Sequence, residues 1–516
     1  MTAQTFRLPR LHGGFATKLV LAAALIALAD QVFFIRELSF GWLGLFGAAL
    51  ALATVLANPA LRHDRRALIA LTFALAMAGA MIWDAAPLPF LLFWASMGLA
   101  ILLPGTARFD DGWRWAQRLI AHGFKALFGP LIDLFKLSRA RNRRPGGTGL
   151  RRLLPALFLP LAGSAVILTL FTFANPVFEQ AIDSLTMPLL DERTAGRIIF
   201  CGAIFVITWG VLRPRRARPY FGTFDGSGDL AIPGVNPASV LISLIAFNAL
   251  FAMQNAMDLA WLWGLLPLPD GMTLADYAHR GAYPLIATAL LAALFVLITL
   301  RPGSQTADNP LVRKLVTLWI AQNLVLVASS MLRLYDYIDA YSLTRLRIAA
   351  LAWMALVAVG LALIGWRLLR GHSARWLINA NCAAAMLLLG TYAFVDTGAF
   401  AAQWNVRHAR EVDGTGAGID LCYMAELGTP ALLPLIDLED RPLDPVLRER
   451  VRELRAQVQY RQGQMLDNGA STLLGERRLA RAEALGRQTP RAWPGARYDC
   501  SGTPQDPTAS YLDQIG

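Results

Sequence analysis

Apolar runs long enough to cross a bilayer recur along this chain until about residue 398. Hydrocarbon offers no water to bond an exposed backbone. An apolar stretch of about 20 residues must therefore satisfy its own peptide groups, which it does as a spanning helix. Such runs are expected as spans near 17–35, 38–57, 67–83, 88–104, 153–174, 196–212, 238–264, 282–300, 315–332, 346–368 and 376–395. The chain is 55% hydrophobic and 16% charged, whereas a soluble domain carries about 25% charge. The expected fold class is all-α: a polytopic transmembrane helix bundle of about eleven spans, followed by a small helical extracytoplasmic C-terminal domain.

The net charge of +12 would suit a nucleic-acid binder, but the basic residues sit in short loops between spans, where topology places them. Arg62, Arg65 and Arg66 fill one loop, Arg213, Arg215, Arg216 and Arg218 another, and Arg367, Arg370 and Arg375 a third. Alternate loops such as DAAPLP (84–89) are poor in Lys and Arg. No nucleic acid is expected, and the alternation predicts a cytoplasmic N-terminus. An odd number of spans then puts the tail outside. The basic start MTAQTFRLPRLHGGFATK is followed by an apolar run with no small-residue cleavage site, so that run reads as the first span.

Four segments follow from this reading: four N-terminal spans in 1–107, a basic segment and linker in 108–152, a seven-span core in 153–397 and a soluble tail in 398–516. In the basic segment Trp115, Leu119, Phe124, Leu127 and Phe128 alternate with Arg and Lys at helical spacing. That pattern predicts an interfacial helix drawn to anionic lipid over 108–144. In GWLGLFGAA (41–49) the small residues 41, 44 and 47 predict a close helix contact.

Charged groups in a span are costly and usually face the bundle interior or a wet cavity. Gln322, Ser329, Arg333 and Asp336 share one helix face, with Tyr337 beside it. Asn248, Gln254, Asn255 and Asp258 share another, and Asn175 and Glu179 a third, while Asp30 lies late in the first span. Under the expected topology these groups reach a similar depth near the outer face. The stretch 329–347 adds Tyr335, Tyr341, Arg345 and Arg347 at the same level. Arg333 is expected to pair with Asp336 on its own helix and with Asp258 or Glu179 across the bundle. Two readings compete: interhelical bonds that hold the bundle together, and a shared outward-facing polar pocket.

Cys422 and Cys500 fall in the tail. A tail outside the cytoplasm allows a disulfide between them, with two free thiols as the alternative. His and Cys spacing offers no metal site, no catalytic residues stand out, and no cofactor motif is present.

Five stretches carry a family resemblance: TFANPVFEQAI, NALFAMQNAMDLAWLWG, MTLADYAHRGAYPLI, MLRLYDYIDAYSLTRLRIAALAWM and NVRHAREVDGTGAGIDLCYMAELGTPALLPL. Over roughly residues 150–435 the chain resembles a bacterial multi-pass family known only as domain-of-unknown-function family 4173. The resemblance implies a bacterial plasma-membrane protein with an extracytoplasmic tail, and it implies no activity. Three functions follow in order. The first is a non-catalytic envelope anchor or assembly protein whose tail meets an extracytoplasmic protein partner. The second is a transporter or small-molecule or lipid-binding protein with an outward-facing pocket. The third is a membrane enzyme acting on a lipid-linked or anionic substrate.

Overall fold

The computed structural model describes residues 14–35, 41–84, 86–141, 192–215, 218–222, 237–262, 291, 295, 309–495 and 498–504. Within them the chain is helical, apart from an isolated bridge between Tyr498 and Pro504. It divides into two compact units: Met1–Phe109 with Trp115–Tyr220, and Asp110–Arg114 with Phe221–Gly516.

The first unit is built on α1 (Phe15–Ala29), α2 (Gly41–Ala57), α3 (Arg65–Trp83), α4 (Pro87–Leu102), the larger part of α5 (Gly112–Leu127), α6 (Gly129–Arg141) and α7 (Glu192–Leu212). From Asp30 to Ile35, α1 widens into a π-helical turn. The Asp64 carboxylate starts α3 by accepting from the Arg66 and Ala67 amides, and proline opens α4. A Cβ on Gly44 would run into the Ala78 carbonyl. Only glycine lets α2 approach the α3 backbone so closely, and a Cβ on Gly47 would stand 3.1 Å from the Phe93 ring.

The second unit contains α8 (Pro237–Leu262), α9 (Pro310–Tyr341), α10 (Arg345–Arg370) and α11 (Ala374–Tyr392), then α12 (Thr397–Arg407), α13 (Leu421–Leu427), α14 (Leu432–Glu439), α15 (Pro445–Asp467) and α16 (Leu473–Ala484). At 1.5 Å per residue α9 is roughly 48 Å long, against roughly 30 Å of hydrocarbon. The helix is thus longer than an upright crossing requires. Phe247, Phe251, Phe295 and Trp319 pack ring to ring between α8 and α9.

Seven helices are long and apolar enough to cross a membrane, and up to nine if two bent pairs each count as one span. The described residues thus support seven to nine spans where eleven were expected. Of the eleven, 153–174 lies outside the described residues, and so does 282–300 apart from residues 291 and 295. The run at 38–57 forms a helix of only 17 residues. The run at 376–395 continues into α12 through a bend of 65°. The other bent pair, α13 with 429–439, is apolar for a different reason. Met424, Leu432, Leu435 and Leu438 are fully buried in a core shared with α12, α15 and α16. Spanning helices do the opposite and leave large apolar side chains uncovered, such as Ile69, Ile199, Ile242 and Leu387. This is a multi-pass membrane protein: water cannot solvate those faces cheaply and lipid can.

Charge also organises the C-terminal helices. The buried Glu439 carboxylate takes Arg455 at 2.7 Å, with Arg452 and Arg487 each at 3.4 Å, so the end of α14 is tied to α15. Arg478 on α16 pairs with Asp396, which also caps α12 through the Ala399 amide.

Candidate functional site

Seven of the predicted polar residues meet along a seam between α8 and α9. Asn248 Nδ2 donates to the Leu315 carbonyl at 3.0 Å and Asn255 Nδ2 to the Gln322 carbonyl at 3.1 Å. Both pairs are 67 residues apart. Numbers therefore rise together along the two helices, which run parallel. Further along, Asp258 accepts from Gln254 Nε2 at 2.9 Å, Ser329 Oγ at 3.2 Å and Arg333 Nη2 at 2.9 Å. Asp258 is 2% exposed and Arg333 7%. Both carboxylate oxygens carry donors, and the two charges cancel where neither meets water. Among the described residues, Asn248 Oδ1, Asn255 Oδ1 and Gln322 Oε1 accept no hydrogen bond.

Past the seam, α9 ends at Tyr341 and the chain turns through Ser342, Leu343 and Thr344 into α10. Ser342 adopts φ +70°, a conformation that L side chains resist. Two arms hold it there. Arg347 donates to the Tyr341 carbonyl at 2.6 Å and to the Ser342 carbonyl, with its guanidinium 4.1 Å from the Tyr337 ring centre. Asn405 on α12 brackets Leu343: its Oδ1 accepts the Leu343 amide at 2.7 Å and its Nδ2 donates to the Leu343 carbonyl at 3.0 Å. The positive charge of Arg347 is thus answered by helix-end carbonyls and an aromatic face, both favourable partners for a cation.

Arg345 meets the C-terminal helices directly. Its amide donates to the Tyr423 hydroxyl at 2.8 Å, and its guanidinium lies where a Cβ on Gly398 would stand. Burial pushes the Tyr423 hydroxyl above its ordinary pKa. Leu334, Ile338, Leu343 and Ala401 form one buried cluster here, with Tyr337, Trp404 and Tyr423 packed on it. Tyr335, Asp336 and Tyr341 are exposed on α9.

Asp30 belongs to the first unit, where it takes Arg197 in a two-pronged pair at 2.8 and 2.5 Å, with Cys201 Sγ 3.8 Å away. It sits where α1 changes to π-helical geometry, a bulge often found at functional positions. Asn175 and Glu179 lie outside the described residues. In the second unit Cys422 and Cys500 are joined by a disulfide. Among the described residues, no three of His, Cys, Asp and Glu gather as metal ligands.

Sequence reasoning missed the residues that do the joining: Asn405, Tyr423 and Gly398 around the turn, and Arg197 opposite Asp30. A sequence carries only a faint signal for them. Asn405 is a lone amide on an apolar helix face, and Arg197 is a charge just inside a span.

No curated protein and no solved structure matches the chain. A family model does, over residues 70–438, and its description is Domain of unknown function (DUF4153). The five stretches that carried the resemblance all lie inside that match, but the family read from them was a different one. The assignment to family 4173 is therefore corrected: this chain belongs to the DUF4153 family, a domain of unknown function.

Proposed function

We propose that this protein is a non-catalytic anchor of the bacterial plasma membrane that presents its C-terminal helices, outside the cytoplasm, to another envelope protein. One observation carries the reading: the turn at 342–345 is bonded into those helices by Asn405, Tyr423 and the Arg345 side chain lying against Gly398. A tail on a loose tether would need none of these contacts. They fix the direction in which it is held, which matters when a partner must be met in one orientation.

Two further features support the proposed orientation. The Cys422–Cys500 bond suits an oxidising compartment. The parallel course of α8 and α9 gives them the same direction of crossing, as loop charge alternation requires of the seventh and ninth spans. Alkaline phosphatase fused after Gly516 should be active, and a fluorescent protein that matures only in the cytoplasm should be dark. The reverse result removes the orientation. For the anchor role, photo-crosslinkers at exposed Arg461 and Trp493 should give adducts of defined mass in cells. A crosslinker at exposed Tyr335 on α9 should give none. Equal labelling from all three positions would overturn the role.

The unpartnered amide oxygens of Asn248, Asn255 and Gln322 favour a second reading, a polar path for a solute between α8 and α9. Proteoliposomes would show a flux abolished by Asp258→Asn if that reading held.

A further inference from the structure

Among the described residues, one corner of the first unit gathers more positive charge than it neutralises. Where α6 meets the end of α7, the Asp133 carboxylate accepts Trp209 Nε1 at 2.9 Å, Arg215 at 2.7 Å and Arg213 at 3.3 Å. Lys18, near the start of α1, feels both Asp133 and Arg213. Its Nζ donates to Asn58 Oδ1 at 2.9 Å, and Asn58 Nδ2 in turn reaches the Leu212 carbonyl at 3.1 Å. Lys18 and Asp133 are buried, while Arg213 and Arg215 keep side-chain exposures of 36% and 20%. Among the described residues, three cations here share one carboxylate. His122 adds no further positive charge: burial pushes its imidazole below the ordinary pKa, and its Nδ1 has no hydrogen-bond partner among the described residues.

The surroundings indicate what would bring the missing negative charge. Leu119 packs into the space beside Gly98 on α4, and Ala126 into the space beside Gly210 on α7. These two residues and Trp115 mark the face of α5 turned to its own unit. At 100° per residue, Ile120, Phe124 and Leu127 lie about 120°, 160° and 100° round from that face. They are 63%, 65% and 55% exposed, and Phe128 just beyond is 57% exposed. Lys125 lies to one side of that stripe. An apolar stripe flanked by positive charge is the arrangement of a helix seated at the lipid interface. Gly129 joins it to the cluster directly, since its carbonyl takes Arg215 at 2.7 Å.

We infer that Arg213 and Arg215, backed by the buried charge of Lys18, form a binding site for the phosphate of an anionic phospholipid, with the exposed face of α5 lying among its acyl chains. A phosphate oxygen accepts from arginine in the geometry a carboxylate uses. The Arg213 guanidinium, 5.3 Å from the Phe15 ring centre, is held toward the apolar edge where a headgroup meets its chains. In the orientation proposed above this end faces the cytoplasm, the side on which juxtamembrane basic clusters meet anionic lipid. The site itself does not depend on that orientation or on the anchor role.

Native mass spectrometry of the full chain in detergent, titrated with phosphatidylglycerol or phosphatidylcholine, tests the site. Phosphatidylglycerol should bind preferentially. Arg213→Gln should weaken it roughly fivefold, the effect of one cation at an anionic surface. Arg213→Lys should retain most of the binding. Asp133→Asn keeps an oxygen for Trp209 and deletes the acid, so it should strengthen binding. That opposite sign separates charge from damage to the fold. Equal binding of both lipids, or an Asp133→Asn that weakens binding while the protein stays monodisperse, overturns the site. Inorganic phosphate that displaces phosphatidylglycerol at equal concentration would mean that the ligand is a soluble anion, and would overturn the lipid assignment.

Discussion

Arg333 and Asp258 meet at 2.9 Å across two parallel helices, both buried and both on a face that also carries amides. Breaking such a pair from one side strands the other charge, at a cost of about 3–5 kcal/mol. Arg333→Ala should therefore lower stability in detergent by that order. Arg333→Ala combined with Asp258→Ala should recover part of the loss. A double-mutant cycle on unfolding midpoints measures the coupling, and a single-mutant cost below about 1 kcal/mol would place the pair with solvated ones.

Asn405→Ala removes two bonds to Leu343 in a buried setting. At roughly 1 kcal/mol per bond and more for groups left unpaired, the loss should be about 2–4 kcal/mol. Limited proteolysis should show cleavage around 342–345 and 396–405 before the helices of the bundle are cut.

Ser342→Gly should act in the opposite direction. The φ of +70° is easy for glycine and strained for serine, and relief should add about 1 kcal/mol. An unchanged or lower melting temperature would mean that the turn is held by its neighbours without strain.

Thiol counting checks the disulfide. Denatured, unreduced protein should label at Cys201 and Cys382 only, and reduction should raise the count to four. The bond closes a loop with a sequence separation of 78. Chain entropy alone then predicts a cost of about 4 kcal/mol for Cys422→Ser with Cys500→Ser.

Acid should loosen the end of the tail. Asp499 is held below the usual carboxylate pKa, first by the Ser501 hydroxyl and then by the Thr503 amide. A pKa lower in the folded state stabilises the fold above the unfolded value, about 4, and that stability is lost as pH falls through the folded value. Melting temperature should drop on the acid side of that range, and Asp499→Asn should flatten the drop. A parallel decline in both proteins would assign the effect to other carboxylates.

The spans were legible because lipid demands one continuous apolar signal from each. The apolar stretch of 421–439 was legible as helix, but hydropathy alone does not separate a span from a protein core. Leu432 and Leu435 look the same in sequence whether lipid or Val451 covers them. Asp258 and Arg333 could be selected as costly charges. Their rank, and the role of Asn405, depend on which helices meet, and no local pattern encodes that. Asp30 finds its partner in Arg197 on α7, and a base near the start of a span looks in sequence like any other helix-end charge.

The equal offset of the Asn248–Leu315 and Asn255–Gln322 bonds has a mechanical meaning. The seam works like a vernier with matched rulings. Sliding one helix along the other loosens both rungs together and draws Arg333 away from Asp258, whereas tilting about the Asp258 end opens the Asn248 rung before the Asn255 rung. A slide between α8 and α9 must therefore strain all of these bonds at once, whereas a tilt takes them in turn.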